Sequence, residues 1–234
     1  MNLNYLVESI NDKNLFKAIM FVGTPGSGKT TIAKKMFAFD DKVNVSGLGT
    51  IKRIDTDIHF EKAGGVGYAD FSKKDIKEKF EKARELRDIQ YRRFTQEYIS
   101  LSIDGTGRDF DWIVDQDKDL RRKGYDTYLI YVNTPTNEAV NRNLKRERTI
   151  KTKDVIEISS EVKRNIEKYK SYFGDRFYEI NNSSDQDRGK LEDYVRKLGR
   201  KIMSSPIKNP VGREKLANAH KKFDEEELGI KVWN

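Results

Sequence analysis

Eight residues, Gly23-Thr24-Pro25-Gly26-Ser27-Gly28-Lys29-Thr30, fit the pattern G-x-x-x-x-G-K-[ST], and Thr31 follows them. Glycines at these spacings let successive backbone N–H groups turn inward around phosphate oxygens, at a point where a helix start adds its own unpaired donors. Lys29 has the reach for the β- and γ-phosphates of a nucleotide, and the Thr30 hydroxyl suits a Mg²⁺ ion. Gly26 and Gly28 permit backbone shapes that a Cβ would obstruct. A glycine-rich turn is the plain alternative. The setting favours phosphate binding, because a β-branched and aromatic run, Lys17 to Val22, precedes the glycines and a helical pattern, Lys29 to Phe39, follows.

Two further clusters carry carboxylates. Ile54-Asp55-Thr56-Asp57 closes a second short strand, and phosphoryl transfer needs a group that orients or deprotonates an attacking hydroxyl at such a strand end. A solvated turn or a helix N-cap is the competing reading. The third strand, Ile99-Ser-Leu-Ser-Ile-Asp104, runs into Gly105-Thr106-Gly107-Arg108. Asp104 at the end of an apolar strand suits Mg²⁺ support, with Thr106 and Arg108 available to substrate oxygens; a βα turn and a surface charge would read the same way. Arg142, Lys145, Arg146, Arg148, Lys151 and Lys153 crowd one stretch opposed by Glu147 alone. Clustered like charges repel unless an anion offsets them, and a triphosphate is one such anion; a solvated basic face is the other reading.

The rest of the composition narrows the chemistry. The chain has 234 residues and no Cys, which excludes a disulfide scaffold, a thiol nucleophile and Cys-ligated metal. Its two histidines, His59 and His220, sit in no metal or nucleophile motif and read as ordinary polar residues. The apolar run Ala18 to Val22 falls far short of the roughly 20 residues of a spanning helix, and Glu8 and Asp12 spoil a signal-peptide pattern, so a cytoplasmic protein is expected.

Elements that must position these residues alternate. Strands are expected at Lys17 to Val22, Ile51 to Asp55, Tyr98 to Asp104, Tyr125 to Val132 and Phe177 to Ile180. Helices are expected at Lys29 to Phe39, Phe110 to Lys123, Thr136 to Arg148, Asp154 to Phe173 and Asp187 to Met203, plus a long helix whose inner face is Ile76, Phe80, Ala83, Leu86 and Ile89. Such alternation predicts an α/β fold of three layers, a parallel sheet of about five strands with helices on both faces. Residues 1–203 form the expected domain, with a basic lid at about 136–153. Residues 204–234 read as a basic linker followed by a short, weakly anchored helix from Arg213 to Leu228.

Taken together and in order, Phe21 to Thr31, Ile54 to Asp57, Ile103 to Arg108 and Lys123 to Val132 resemble the zeta-toxin branch of P-loop kinases, and polynucleotide kinase is similar in its loop and arginine-bearing lid. The resemblance spans about residues 16–182. It implies a P-loop NTPase fold of nucleotide-kinase type with ATP and Mg²⁺. It further implies that Asp57 is the base toward a sugar hydroxyl, that Asp104, Thr106 and Arg108 contact substrate beside Asp55, and that Arg142, Arg146 and Arg148 handle ATP phosphates. The chain departs from the family where Phe60 replaces an arginine three residues after the base, in the proline missing after the last lid arginine, and in a Gly64-Gly65-Gly67 insertion.

The expected activity is transfer of a γ-phosphate to a hydroxyl of a nucleotide, nucleotide-sugar or nucleic acid. A nucleotide-dependent binding or assembly protein with weak NTPase activity is the alternative. Charge bears on partners as well. Of the net +8, residues 197–222 hold eight basic and one acidic residue, so a polyanion contact is expected from the C-terminal region rather than from the domain as a whole.

Overall fold

The computed structural model describes residues 15–38, 51–62, 73–146 and 149–227. Five strands, β1 Lys17–Val22, β2 Lys52–Ile54, β3 Leu101–Asp104, β4 Asp126–Asn133 and β5 Phe177–Asn181, form one sheet in the order β2-β3-β1-β4-β5. Every pairing is parallel. Successive side chains of a strand point to opposite faces, and β1 shows the result. Ala18, Met20 and Val22 pack on one face with α4 (Phe110–Arg122) and α6 (Thr152–Phe173), whereas Ile19 and Phe21 pack on the other with α1 (Lys29–Phe37) and α7 (Arg188–Ser204). These are the three layers expected from the alternation.

The register brings the chemistry together. Ile54 pairs with Ile103, so Asp55 and Asp104 leave adjacent strands side by side, and Phe21 pairs with Asp104, which sets the phosphate loop next to both.

Helices depart from expectation in three places. A short α2, Thr56–Lys62, begins directly at the carboxylates, and the Gly64-Gly65-Gly67 insertion lies outside the described residues. The long α3, Lys73–Gln96, buries Ala83 and turns Tyr91 and Phe94 toward the core, while Leu86 and Ile89 of the predicted inner face are exposed. Helix α5, Thr136–Leu144, stops short of the expected Arg148. Its buried Asn143 donates to Ile150 O at 2.7 Å and accepts from Ile150 N–H at 3.2 Å, a side-chain substitute for the helical ladder that turns the chain back.

Residues 204–212, expected as a linker, are tied to the domain. Asp126 accepts the backbone N–H groups of Lys208 and Asn209, and the Asn209 amide donates to Arg121 O and Tyr125 O. Gly124 and Gly212 let two backbones meet: a Cβ on Gly212 would lie 2.3 Å from Gly124 O. Helix α8, Pro210–Glu227, follows, starting three residues earlier than expected. Among the described residues no helix is long and apolar enough to cross a membrane.

Candidate active site

Between β1 and α1 the glycine-rich segment closes as a tight loop, with Ser27 N–H donating to Thr24 O at 2.9 Å. Gly26 has φ +89°, and a Cβ there would lie 2.1 Å from Ala139 O, so both the left-handed backbone and the close approach of α5 (Thr136–Leu144) demand glycine. Gly26→Ala is therefore expected to cost about 1–3 kcal/mol and to abolish ATP binding. Urea unfolding and an ATP titration check both, and parent-like behaviour in the two would refute the tight-loop account.

Several braces behind the loop had no signal in the sequence. Asn182 donates to Ser27 O at 2.7 Å and accepts from Arg188 at 2.8 Å, and the Thr134 hydroxyl also donates to Ser27 O. Asn181 closes β5 and Asn182 follows it. Here both side chains serve the protein, since Asn181 accepts from the Ser183 backbone and hydroxyl. Gly23 N–H donates to Thr106 O and Gly105 N–H to Phe21 O, stitching the loop to the strand ending in Asp104. From α6, Asn165 and Tyr169 hold the carbonyls of Arg108 and Gly107.

Lys29 lies across the loop mouth, donating to Gly23 O at 2.9 Å and Thr24 O at 3.3 Å. Burial lowers its pKa; Asp104 opposes this, Arg146 adds to it, and Asp57 and Asp55 oppose it. Lys29, Asp104, Arg146, Asp57 and Asp55 thus share one electrostatic field. The Thr30 hydroxyl donates to Asp104 Oδ2 at 3.2 Å. Burial raises the Asp104 pKa, with Lys29 and Arg53 opposing. A hydroxyl and a carboxylate converging at the loop form an oxygen donor set that fits Mg²⁺, which takes few protein ligands and completes its shell with phosphate and water. Among the described residues no group of three or more His, Asp or Glu forms a protein-only cage.

The two acids of the second cluster divide the competing readings. Asp55 accepts the backbone N–H of Asp57 at 2.9 Å, the N-cap arrangement, and binds Arg53 at 2.7 Å. Arg53 went unnoticed in the sequence because nothing local marks it. Asp57 stands in the first turn of α2, partly exposed. Burial, with help from the Asp104 and Asp57 carboxylates and against Arg53, pushes the Asp55 pKa up to about 7. A carboxyl that holds its proton more tightly in the folded chain stabilises the fold fully below its unfolded pKa of about 4, and that contribution is lost as pH rises through about 7. In EDTA, thermal melts of the parent minus those of Asp55→Asn should therefore fall between pH 4 and pH 7. A flat difference would remove the cause given for the shift.

The remaining candidates are spread wider. Phe60, in place of the family's arginine, is fully buried and stacked on Phe80 at 4.2 Å, so the position serves packing of α2 on α3. Thr106 contributes its backbone carbonyl to the loop, and Arg108 is exposed with Glu161 at 3.4 Å. Arg142 points to Glu138 at 2.8 Å and Asn182 O at 2.9 Å, a bracing role beside the loop. Thr24, Pro25 and Ser27 are buried, Thr31 is exposed on α1, and Arg148 lies outside the described residues. His59 meets Gln90 at 3.0 Å, as an ordinary polar residue would.

A family model described as an AAA domain matches residues 19–170, more than half of the chain. A search of the curated proteins returned no match. Among solved structures, a chain from the PezAT chromosomal toxin–antitoxin system of Streptococcus pneumoniae is similar, with a TM-score of 0.53 and 19% identity over 96% of this chain and 92% of that one. A chain of the Pnkp1/Rnl/Hen1 RNA repair complex gives a TM-score of 0.52 and 13% identity over 93% of this chain and 87% of that one. At such identities the likeness is one of fold. The chain belongs to the AAA domain family and has the fold of the P-loop kinases of zeta-toxin and polynucleotide-kinase type.

Proposed function

We propose that the protein transfers the γ-phosphoryl group of ATP to a hydroxyl of a nucleotide, nucleotide-sugar or nucleic acid in the cytoplasm. The observation that carries this reading is the convergence on one loop mouth of Lys29, of Asp104 bonded to Thr30, and of Asp55 and Asp57 at the end of the neighbouring strand.

In this mechanism the loop N–H groups and Lys29 hold the β- and γ-phosphates, Lys29 exchanging its two carbonyl partners for phosphate oxygens. Thr30 and Asp104 would hold Mg²⁺, which when bound neutralises charge on the phosphates. Asp57 accepts the proton of the acceptor hydroxyl as its oxygen bonds to the γ-phosphorus and the bond to the β,γ-bridging oxygen breaks, leaving ADP. Arg146, with Arg148, offsets charge developing on the transferred group, and Asp55, Thr106 and Arg108 orient the acceptor.

The test is a screen with γ-labelled ATP over nucleosides, nucleotide-sugars and oligonucleotides. Label passing to one acceptor class supports the reading. Label released solely as inorganic phosphate with every acceptor would favour the nucleotide-dependent binding protein instead.

A further inference from the structure

At the edge of the sheet opposite the phosphate loop lies an open cleft of about 980 Å³. The amino ends of β4 and β5, the last turns of α4, α6 and α7, and the segment 205–211 enclose it. Its wall carries six basic side chains against three acidic ones. Two of those acids are already committed. Asp117 binds Arg176 at 2.8 Å and accepts from the Tyr172 hydroxyl, and Asp126 binds the buried Lys17. Arg121, Arg122, Lys201 and Lys208 are exposed and have no ion-pair partner among the described residues.

Helix ends account for part of this. Each carboxyl terminus presents about half a negative charge, so three together offset roughly one and a half of these cations and leave the cleft positive. Aromatic surface lies beside the charge: Tyr178, partly exposed, lines the same cleft and packs against the buried Tyr128, with ring centroids 6.4 Å apart and planes tilted by 36°. Part of the basic excess of residues 197–222 thus belongs to a concave surface built into the domain, with Lys201 and Lys208 on its wall.

We propose that this cleft binds single-stranded nucleic acid, its phosphates met by Arg121, Arg122, Lys201 and Lys208 and a base laid on Tyr178, whose ring the buried Tyr128 backs. Cations along a groove with an aromatic platform are the combination that holds unpaired strands, whereas a duplex keeps its bases stacked away from such rings. The proposal stands on this edge of the sheet and does not depend on phosphotransfer.

The experiment is fluorescence anisotropy of a labelled twelve-residue oligothymidylate with the full chain across a salt series. Binding should weaken with salt at a log–log slope of about −2 to −3, as three or four phosphate contacts on a single strand require. The double variant Arg122→Ala/Lys201→Ala should lose about tenfold in affinity and flatten the slope by about 1.4 units. Tyr178→Ala should lose at least about fivefold with the slope unchanged, since stacking releases no counterions. Lys29→Ala should bind as the parent does, and parent-like thermal melts certify that each variant is folded. No binding at low salt, full affinity in the cleft variants, loss in Lys29→Ala alone, or equal binding of a duplex or of polyglutamate would each overturn the proposal.

Discussion

Asp57→Asn is expected to lower phosphoryl transfer by about 10²- to 10⁴-fold, the range that a positioned general base contributes, while leaving ATP affinity nearly intact. The substitution keeps size and hydrogen-bonding reach and removes the ability to take a proton. Its effect on the fold should be small, because the turn at Asp57 is held by Asp55, which accepts the Asp57 backbone N–H whatever the side chain. Nucleotide contacts belong to a different segment, the loop from Gly23 to Thr30. The measurement is kcat with the acceptor found in the labelling screen, set beside ATP binding by calorimetry. Transfer at the parent's rate would remove Asp57 as base, and joint loss of ATP binding would mean that its charge serves nucleotide binding instead.

What could be read from the sequence follows the range over which each signal acts. The phosphate loop and the alternation of strands with helices are local: a motif of eight residues between an apolar run and a helical pattern needs no distant partner to be recognised. Asp104 and Asp57 were legible because each ends or follows a strand, and parallel strands deliver their carboxyl ends to one edge. Asn182 carries no signal because its partner, Ser27, is 155 residues away, and no periodicity encodes such a pair. Arg53 and Asn143 act at short range, on Asp55 two residues away and on Ile150 seven residues away, and no motif or periodicity marks either contact. Phe60 was noticed as a departure, and the contact with Phe80 explains it as packing that single-chain spacing cannot show. What fastens the C-terminal segment is not legible in its few apolar residues: backbone N–H groups on a buried carboxylate, Asp126, and two glycines in contact.

That carboxylate supports the other large expectation. Lys17 is wholly buried on β1, and its ammonium donates to Asp126 Oδ2 at 2.8 Å and to Pro206 O at 3.3 Å. Burial lowers the Lys17 pKa, and Asp126 is the main influence opposing it. Removing one partner of a buried pair strands the other charge, at a cost of about 3–5 kcal/mol. Asp126→Ala should fall in that range, because the buried ammonium loses its counter-charge and residues 205–209 lose their anchor together. Lys17→Met should cost less, since the carboxylate left behind stands at the sheet edge and keeps the backbone N–H groups of Lys208 and Asn209. Urea unfolding of the two variants measures the asymmetry. Limited proteolysis of the Asp126→Ala protein should cut within 204–212, and a cut there in Lys17→Met at the same rate would show that the ion pair, rather than the carboxylate, fastens the segment. Equal destabilisation by both substitutions would remove the distinction between a stranded buried cation and a carboxylate that retains its donors.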